Sequence, residues 1–335
     1  MLRLHFTDAD LRRVRLADDV DPMWETVLSL HRLQTSKEAL AFSGWRASAR
    51  TWTADRRCRT ILAMLSAIAP RQSYFPDFLT PAQGLAGFDA GLDAIMATPR
   101  QRLAAELGAT YRVRGATAPR WIARLATGAR DMRELLTHLL RRYHADVVVP
   151  YAATSEPMVA ADRARRFKAL ASRGIEGLSG TFGPDARWEQ NVLQLPYPKD
   201  RDLHLRGRGI TLVPSFYCWG TPVALADQAL APVIVYPVEH EPASWYSPSD
   251  LERAADLGAL LGCTRAEVLR AVARGATPGR LARALGIAPS VVSHHTTILR
   301  RAGLITTVRD GRWVTHELTP LGEAMLSGAL ARGRL

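Results

Sequence analysis

Apolar residues in the first 174 positions recur at helical spacing. Asp21-Pro22 offers a cap and a first-turn proline, and Met23, Trp24, Val27, Leu28 and Leu30 follow at intervals that predict a helix. Cys58, Ile61, Leu62, Leu65 and Ile68 form a second stripe that stops before Pro70. Thr98-Pro99 repeats the cap-plus-proline start, and Met132, Leu135, Leu136, Leu139, Leu140 and Tyr143 make a wide apolar face. Arg163 to Arg173 reads as one more short helix, ended by Gly174. From Ile175 the punctuation turns to Gly and Pro, and the short runs Val192 to Leu195, Asp202 to Leu205, Ile210 to Ser215 and Val233 to Tyr236 suit strands of a small sheet. Pro237 to Pro248 has neither period and reads as a linker.

Beyond the linker the pattern is helical and compact. Ser249 can cap a helix carrying Leu251, Ala254, Ala255, Leu257 and Leu261, and Thr264-Arg-Ala-Glu267 has the form of a capping box opening a helix with Val268, Leu269 and Val272. Thr277-Pro278 starts another, whose Leu281, Ala282 and Leu285 face inward, and Gly286 ends it with the left-handed turn that other residues resist. Ile287-Ala288-Pro289 begins the next helix almost at once, and helix, tight glycine turn, helix is an arrangement whose second helix can enter a DNA major groove. Within Pro289 to Ala302, spacing puts Val292, Thr296 and Leu299 on the inner stripe and Ser290, Val291, His294, Thr297 and Arg301 on the outer one. Gly303 stops this helix. Leu304 to Arg309 reads as a strand, Asp310-Gly311 as a type I′ turn and Arg312 to Leu318 as the partner strand, a wing with Arg309 and Arg312 at its tip. Thr319-Pro320 caps a last helix from Leu321 to Leu330.

The expected fold is therefore mainly α with small β elements. It comprises a helical N-terminal region over 1–174, a small α+β segment and linker over 175–247, and a winged helix-turn-helix over 248–335. A length of 335 residues, 47% hydrophobic and 23% charged, is that of a folded chain of two or three domains. No uninterrupted apolar run of about 18 residues occurs, which leads to the expectation of a cytoplasmic protein that does not engage a membrane.

The net charge of +12 is weak evidence for a polyanionic partner, because only three of the 44 basic residues are lysines and the arginine skew reads as codon bias. Its distribution says more. No acidic residue lies between Glu267 and Asp310, a stretch that holds seven arginines. Its hydroxyls, imidazoles and guanidinium groups are all competent for base edges or phosphates. Arg300 and Arg301, at the end of the helix, suit phosphate better than bases.

Pro289-Ser-Val-Val-Ser-His-His-Thr-Thr-Ile-Leu-Arg-Arg-Ala-Gly-Leu-Ile305 resembles the recognition helix of the ArsR/SmtB family of winged-helix regulators. The resemblance covers roughly the last 85 residues, and the longer arrangement, with Leu205 to Phe216 before the winged helix, is similar to actinobacterial regulators that carry a long N-terminal region. It implies DNA contact through Ser290, Ser293, His294, His295 and Arg300, and a homodimer presenting two recognition helices about 34 to 36 Å apart. Ala288 stands where that family favours a capping serine, and Thr296 replaces a buried leucine.

The family's metal-sensing positions are not reproduced: Gly279 to Gly286 contains no cysteine, and Leu321 to Leu335 no His, Asp or Cys. Cys58, Cys218 and Cys263 lie far apart, without disulfide or metal spacing. Adjacent His294 and His295 diverge by about 100° on a helix and are poorly placed to share one ion. No metal or cofactor is expected.

Residues 1 to 247 contain no Gly-x-Ser-x-Gly elbow, phosphate loop, dinucleotide fingerprint or His-Glu-x-x-His, and the chain is read as a non-enzyme. Gly207-Arg-Gly209 reads as a turn, and Phe216, Tyr217, Trp219, Trp245 and Tyr246 as either core packing or the lining of an apolar ligand pocket. The reading is a repressor that binds duplex DNA, its N-terminal region serving dimerisation or the sensing of a small-molecule effector. The alternative is a ligand-binding or catalytic N-terminal protein whose winged helix serves assembly.

Overall fold

The computed structural model describes residues 1–35, 42–239, 257–273, 277–310 and 313–327. Its chain divides into two units, Met1–Thr35 with Ser48–His240, and Ser36–Ala47 with Glu241–Leu335. It is mainly α with small sheets. The expected linker from Pro237 to Pro248 and the expected cap at Ser249 lie almost wholly outside the described residues.

In the first unit the expected division at residue 174 does not separate two bodies. Strand β1 (Leu2–His5) sits inside the sheet β3-β4-β1-β5, antiparallel to β4 (Val192–Leu195) and parallel to β5 (Arg201–His204), with β3 (Arg187–Glu189) at one edge. Strand β2 (Val14–Leu16) runs parallel to β6 (Ile210–Ser215) in the sheet β2-β6-β8-β7, completed by β7 (Val223–Ala224) and β8 (Val233–Pro237). The start of the chain alternates, and strand geometry turns Leu2, Leu4 and Phe6 into the core while Arg3 and His5 stay outside. One apolar cluster serves both sheets and includes Leu4, Leu193, Leu203, Leu212, Ile234 and Leu178.

The short α1 (Asp8–Leu11) is closed by a capping box between Thr7 and Asp10. Asp10 also accepts the Gly209 amide at 2.8 Å. Gly209 has φ +74°, and a Cβ there would collide with the Arg13 carbonyl, so the Gly207-Arg-Gly209 turn is glycine by necessity.

Helix α2 (Pro22–Leu33) begins as expected, with Asp21 Oδ1 accepting the amides of Met23 at 2.8 Å and Trp24 at 3.2 Å, and is buried nearly all round. The other helices are α3 (Ser43–Ala54, whose Ser48–Ala54 belong to this unit), α4 (Arg56–Ile68), α5 (Phe88–Ala97), α6 (Arg100–Arg114), α7 (Arg120–Ala126), α8 (Arg130–Tyr143) and α9 (Ala152–Ser179).

Two helix expectations are corrected. Thr98 does not cap α6; its hydroxyl donates back to Ala94 O at 3.0 Å and closes α5 instead. Helix α9 starts at Ala152 and not at Arg163; at Arg173 and Gly174 (φ +58°) helical geometry is lost, as the glycine predicts, and a further short helical stretch follows to Ser179. Phe216 and Tyr217 are buried in the core, while Trp245 and Tyr246 lie outside the described residues.

In the second unit a helical turn over residues 257–261 (α10) is followed by α11 (Cys263–Val272), α12 (Pro278–Leu285), α13 (Pro289–Arg301), a hairpin of β9 (Ile305–Asp310) and β10 (Trp313–Leu318), and α14 (Pro320–Ser327). Its core joins Leu257, Leu269, Leu281, Val292, Leu299 and Ile305. The capping box at Thr264 and Glu267 is not formed. Gly262, at φ +84°, turns the chain into the helix two residues earlier, which leaves Thr264 inside its first turn.

Candidate nucleic-acid interface

The turn between α12 and α13 is built as its glycine predicts. Gly286 has φ +64°, and the Ile287 amide reaches back to Ala282 O at 3.1 Å, so α13 leaves α12 within a few residues. Helix α13 then sorts into two faces. Val292, Thr296 and Leu299 are buried, and the Thr296 hydroxyl satisfies itself on Ser293 O at 3.2 Å, so a polar residue fits where an apolar one is usual. Ser290, Val291, Ser293, His294, Arg300 and Arg301 are exposed, and Thr297 and His295 are half-buried. No side chain caps the helix at Ala288, whose carbonyl receives the amides of Val291 and Val292.

The two histidines differ. His294 is open to solvent, whereas His295 is half-buried with its ring 5.4 Å from that of His294. Burial, then the charges of His294 and of Arg265 on α11, lower the His295 pKa, which favours the neutral ring at pH 7. His295 is thus the member of the expected DNA-facing group least available to a ligand. Among the described residues no group of three His, Cys, Asp or Glu is arranged to hold a metal.

At the far end of α13 a relay runs into the hairpin. Arg300 Nη1 donates to Thr307 Oγ1 at 3.5 Å, and Thr307 Oγ1 lies 3.0 Å from Nδ1 of His316, a buried residue of β10. A neutral His316 ring accepts the hydroxyl proton, which leaves the oxygen lone pairs for the guanidinium. Burial, then the Arg300 charge, lowers the His316 pKa and favours that neutral ring. Sequence reasoning missed this pair. The alternation Val314, His316, Leu318 carried the signal, since it puts the histidine on the inner face of its strand.

The hairpin departs from expectation at its tip. The register pairs Asp310 with Trp313, so Asp310 is a strand residue and not a turn position. Arg309 lies on β9 opposite Val314 with its side chain outside the described set, and Gly311 and Arg312 lie outside it altogether. The base of the wing is firm. Thr319 Oγ1 accepts the Gly322 amide at 3.1 Å, capping α14 as expected, and donates to Gly303 O at 2.5 Å.

Taken together, α13 offers an exposed strip of hydroxyl, imidazole and guanidinium groups with no carboxylate on the helix itself, beside a two-stranded hairpin. That combination can donate to phosphate oxygens and to acceptors on base edges. Compared with curated proteins, the chain matches none. Residues 264–308, which run from α11 through α13 into β9, match the family model of a helix-turn-helix domain, the kind of module that suggests DNA binding.

Proposed function

We propose that the protein is a sequence-specific DNA-binding transcription regulator, a cytoplasmic repressor of the ArsR/SmtB type that acts as a homodimer and not as an enzyme. Ser290, Val291, Ser293, His294 and Thr297 face the bases, with His295 at the margin, while Arg300, Arg301, Arg309 and Arg312 hold the backbone. The N-terminal unit dimerises or senses a small-molecule effector. The observation that carries this reading is the exposed, carboxylate-free face of α13 beside its hairpin. The matched helix-turn-helix model supports it, and among the described residues no helix is long and apolar enough to cross a membrane.

The test is a selection of genomic DNA fragments by the full-length protein, followed by binding of the recovered site in a salt series. Arg300→Ala with Arg301→Ala weakens binding to all sequences and flattens the salt slope by about 0.9 for each phosphate that is no longer neutralised. His294→Ala changes the base preference instead. Failure of the full-length protein to enrich any sequence, or an unaltered salt slope in the double variant, overturns the assignment.

A further inference from the structure

The N-terminal unit contains a groove of 570 Å³ among α3, α4 and α8. Ligand sites of small molecules run from about 300 to 1,000 Å³ and pair apolar walls with a few polar groups. Helical spacing assembles this one: Arg57, Cys58 and Ile61 share a face of α4, His138 and Arg142 stand one turn apart on α8, and Trp52 lines it from α3.

The walls are fixed from behind. Asp146 Oδ2 accepts Nε1 of Trp52 at 2.8 Å and pairs with Nε of Arg142 at 2.7 Å, so one carboxylate holds both side chains. Asp55 lines the groove too, but its Oδ1 accepts the amides of Arg57 at 2.7 Å and Cys58 at 3.1 Å, which engages its charge at the start of α4. Burial, then Asp55, pushes the Cys58 thiol up, so it lines the groove as a neutral S–H. The Arg57 guanidinium and the His138 imidazole have no hydrogen-bond or ion-pair partner among the described residues. Asp55 Oδ1 and Asp146 Oδ2 are bonded, the Arg57 and His138 donors carry no hydrogen bond among the described residues, and Ile61 and Trp52 give the groove its apolar lining.

We propose that this groove binds a small organic anion, a carboxylate whose apolar body lies against Ile61 and Trp52 and whose charge is met by Arg57 and His138. As an effector site it rests on the reading that the N-terminal unit senses a small molecule. Asp146 is taken by Trp52 and Arg142 and the Asp55 charge is balanced by Arg57, which disfavours a cation, and inorganic phosphate would leave Ile61 and Trp52 uncovered.

The experiment is a calorimetric titration of the full-length protein, without DNA, by 1-naphthoate, with 1-naphthamide and inorganic phosphate as controls. Naphthoate is expected to bind saturably, with the uncharged amide and phosphate each weaker by about tenfold or more, the loss that goes with one charge-assisted hydrogen bond or with the apolar floor. Arg57→Ala and His138→Ala, both at exposed side chains, should each weaken naphthoate several-fold, while Arg120→Ala, on α7, leaves it unchanged. Absence of saturable binding, equal binding of phosphate, or unchanged binding in both groove variants overturns the proposal. Repeating the titration on the DNA complex separates the two readings. Binding without effect on DNA affinity supports the site and removes sensing, whereas failure of DNA binding in the ligand-free protein removes the regulator and leaves the calorimetric result for the groove in force.

Discussion

In the N-terminal unit Glu25, Asp77, Glu106 and the pair Asp162 and Arg166 are buried, and each is bonded inward. Glu25 binds the Ser215 hydroxyl and the Phe216 amide at the end of β6, Asp77 accepts the amides of Ala226 and Asp227 at 3.0 and 2.7 Å, and Glu106 accepts the Phe78 amide at 2.7 Å. In the winged-helix unit the buried polar side chains among the described residues are Thr296 and His316, and the remaining polar groups of α13 stand outside. The first unit uses carboxylates as internal ties across a chain path that returns after some 190 residues, as from Glu25 to Ser215. The second closes its core with apolar packing between consecutive elements and leaves most polar groups of α13 on its surface.

The sharpest way to break this comparison is to cut one of the internal ties. Glu25→Ala removes the buried acceptor of the Ser215 hydroxyl and of the Phe216 amide, with Ser215 Oγ keeping only its acceptor role toward the Cys218 amide, and is expected to cost about 3 kcal/mol. Hydrogen exchange should show reduced protection in α2 and β6, with α11 to α13 unchanged. Equal loss in α13 would mean that the two units do not use their polar groups separately. The corresponding lesion in the winged-helix unit is steric. A Cβ on Gly322 would collide with the Leu304 carbonyl oxygen, so Gly322→Ala should cost about 2 kcal/mol in a urea titration and loosen α14 from the base of the wing.

Next in size is a pH effect confined to the first unit. Burial pushes the Glu25 carboxyl up to about 8 and that of Asp21 up to about 6. A group raised on folding contributes stability that is complete below its unfolded value and is lost as the pH rises through its folded one. For Glu25 that window runs from 4.5 to about 8, and above about 6 the stability contributed by Asp21 is already lost. Between pH 6.5 and 8 the stability of the wild-type protein should therefore fall, by up to about 1.4 kcal/mol per pH unit. Glu25→Gln keeps the shape without the proton and should flatten this fall; an identical slope in the variant would assign it to another group.

The same difference explains what could be read from the sequence. Helix, Gly286, helix, Gly303 and strand follow one another within 60 residues, and each boundary carries its own local signal, so α12, α13 and β9 were legible, as was the inward stripe of Val292, Thr296 and Leu299. Strands β1 and β2 were not, because their partners β5 and β6 lie nearly 200 residues on and a parallel pairing leaves no turn residue to mark it. The alternation of Leu2, Leu4 and Phe6 was present but too short to outweigh the helical pattern after it. Thr264 and Thr98 matched capping templates, yet a glycine at positive φ and the preceding α5 claimed those positions. The groove at Trp52, Arg57 and His138 draws on three helices, and only their packing brings those residues together.

The smallest effect probes a place where the winged-helix unit depends on a buried polar group, His316. Thr307 stands between His316 and Arg300, with its oxygen 3.0 Å from one and 3.5 Å from the other. Thr307→Val removes the hydroxyl and keeps the branched shape, leaving a buried imidazole nitrogen without its donor at a cost of about 1 kcal/mol. Arg300 keeps its charge but loses the group that orients it. DNA affinity should therefore fall by about threefold with the salt slope retained, whereas Arg300→Ala lowers that slope by about 0.9. A slope that drops in Thr307→Val as it does in Arg300→Ala would show that the hydroxyl itself supports a phosphate interaction. An unchanged affinity, with the stability loss still present, would confine the relay to holding the wing against α13.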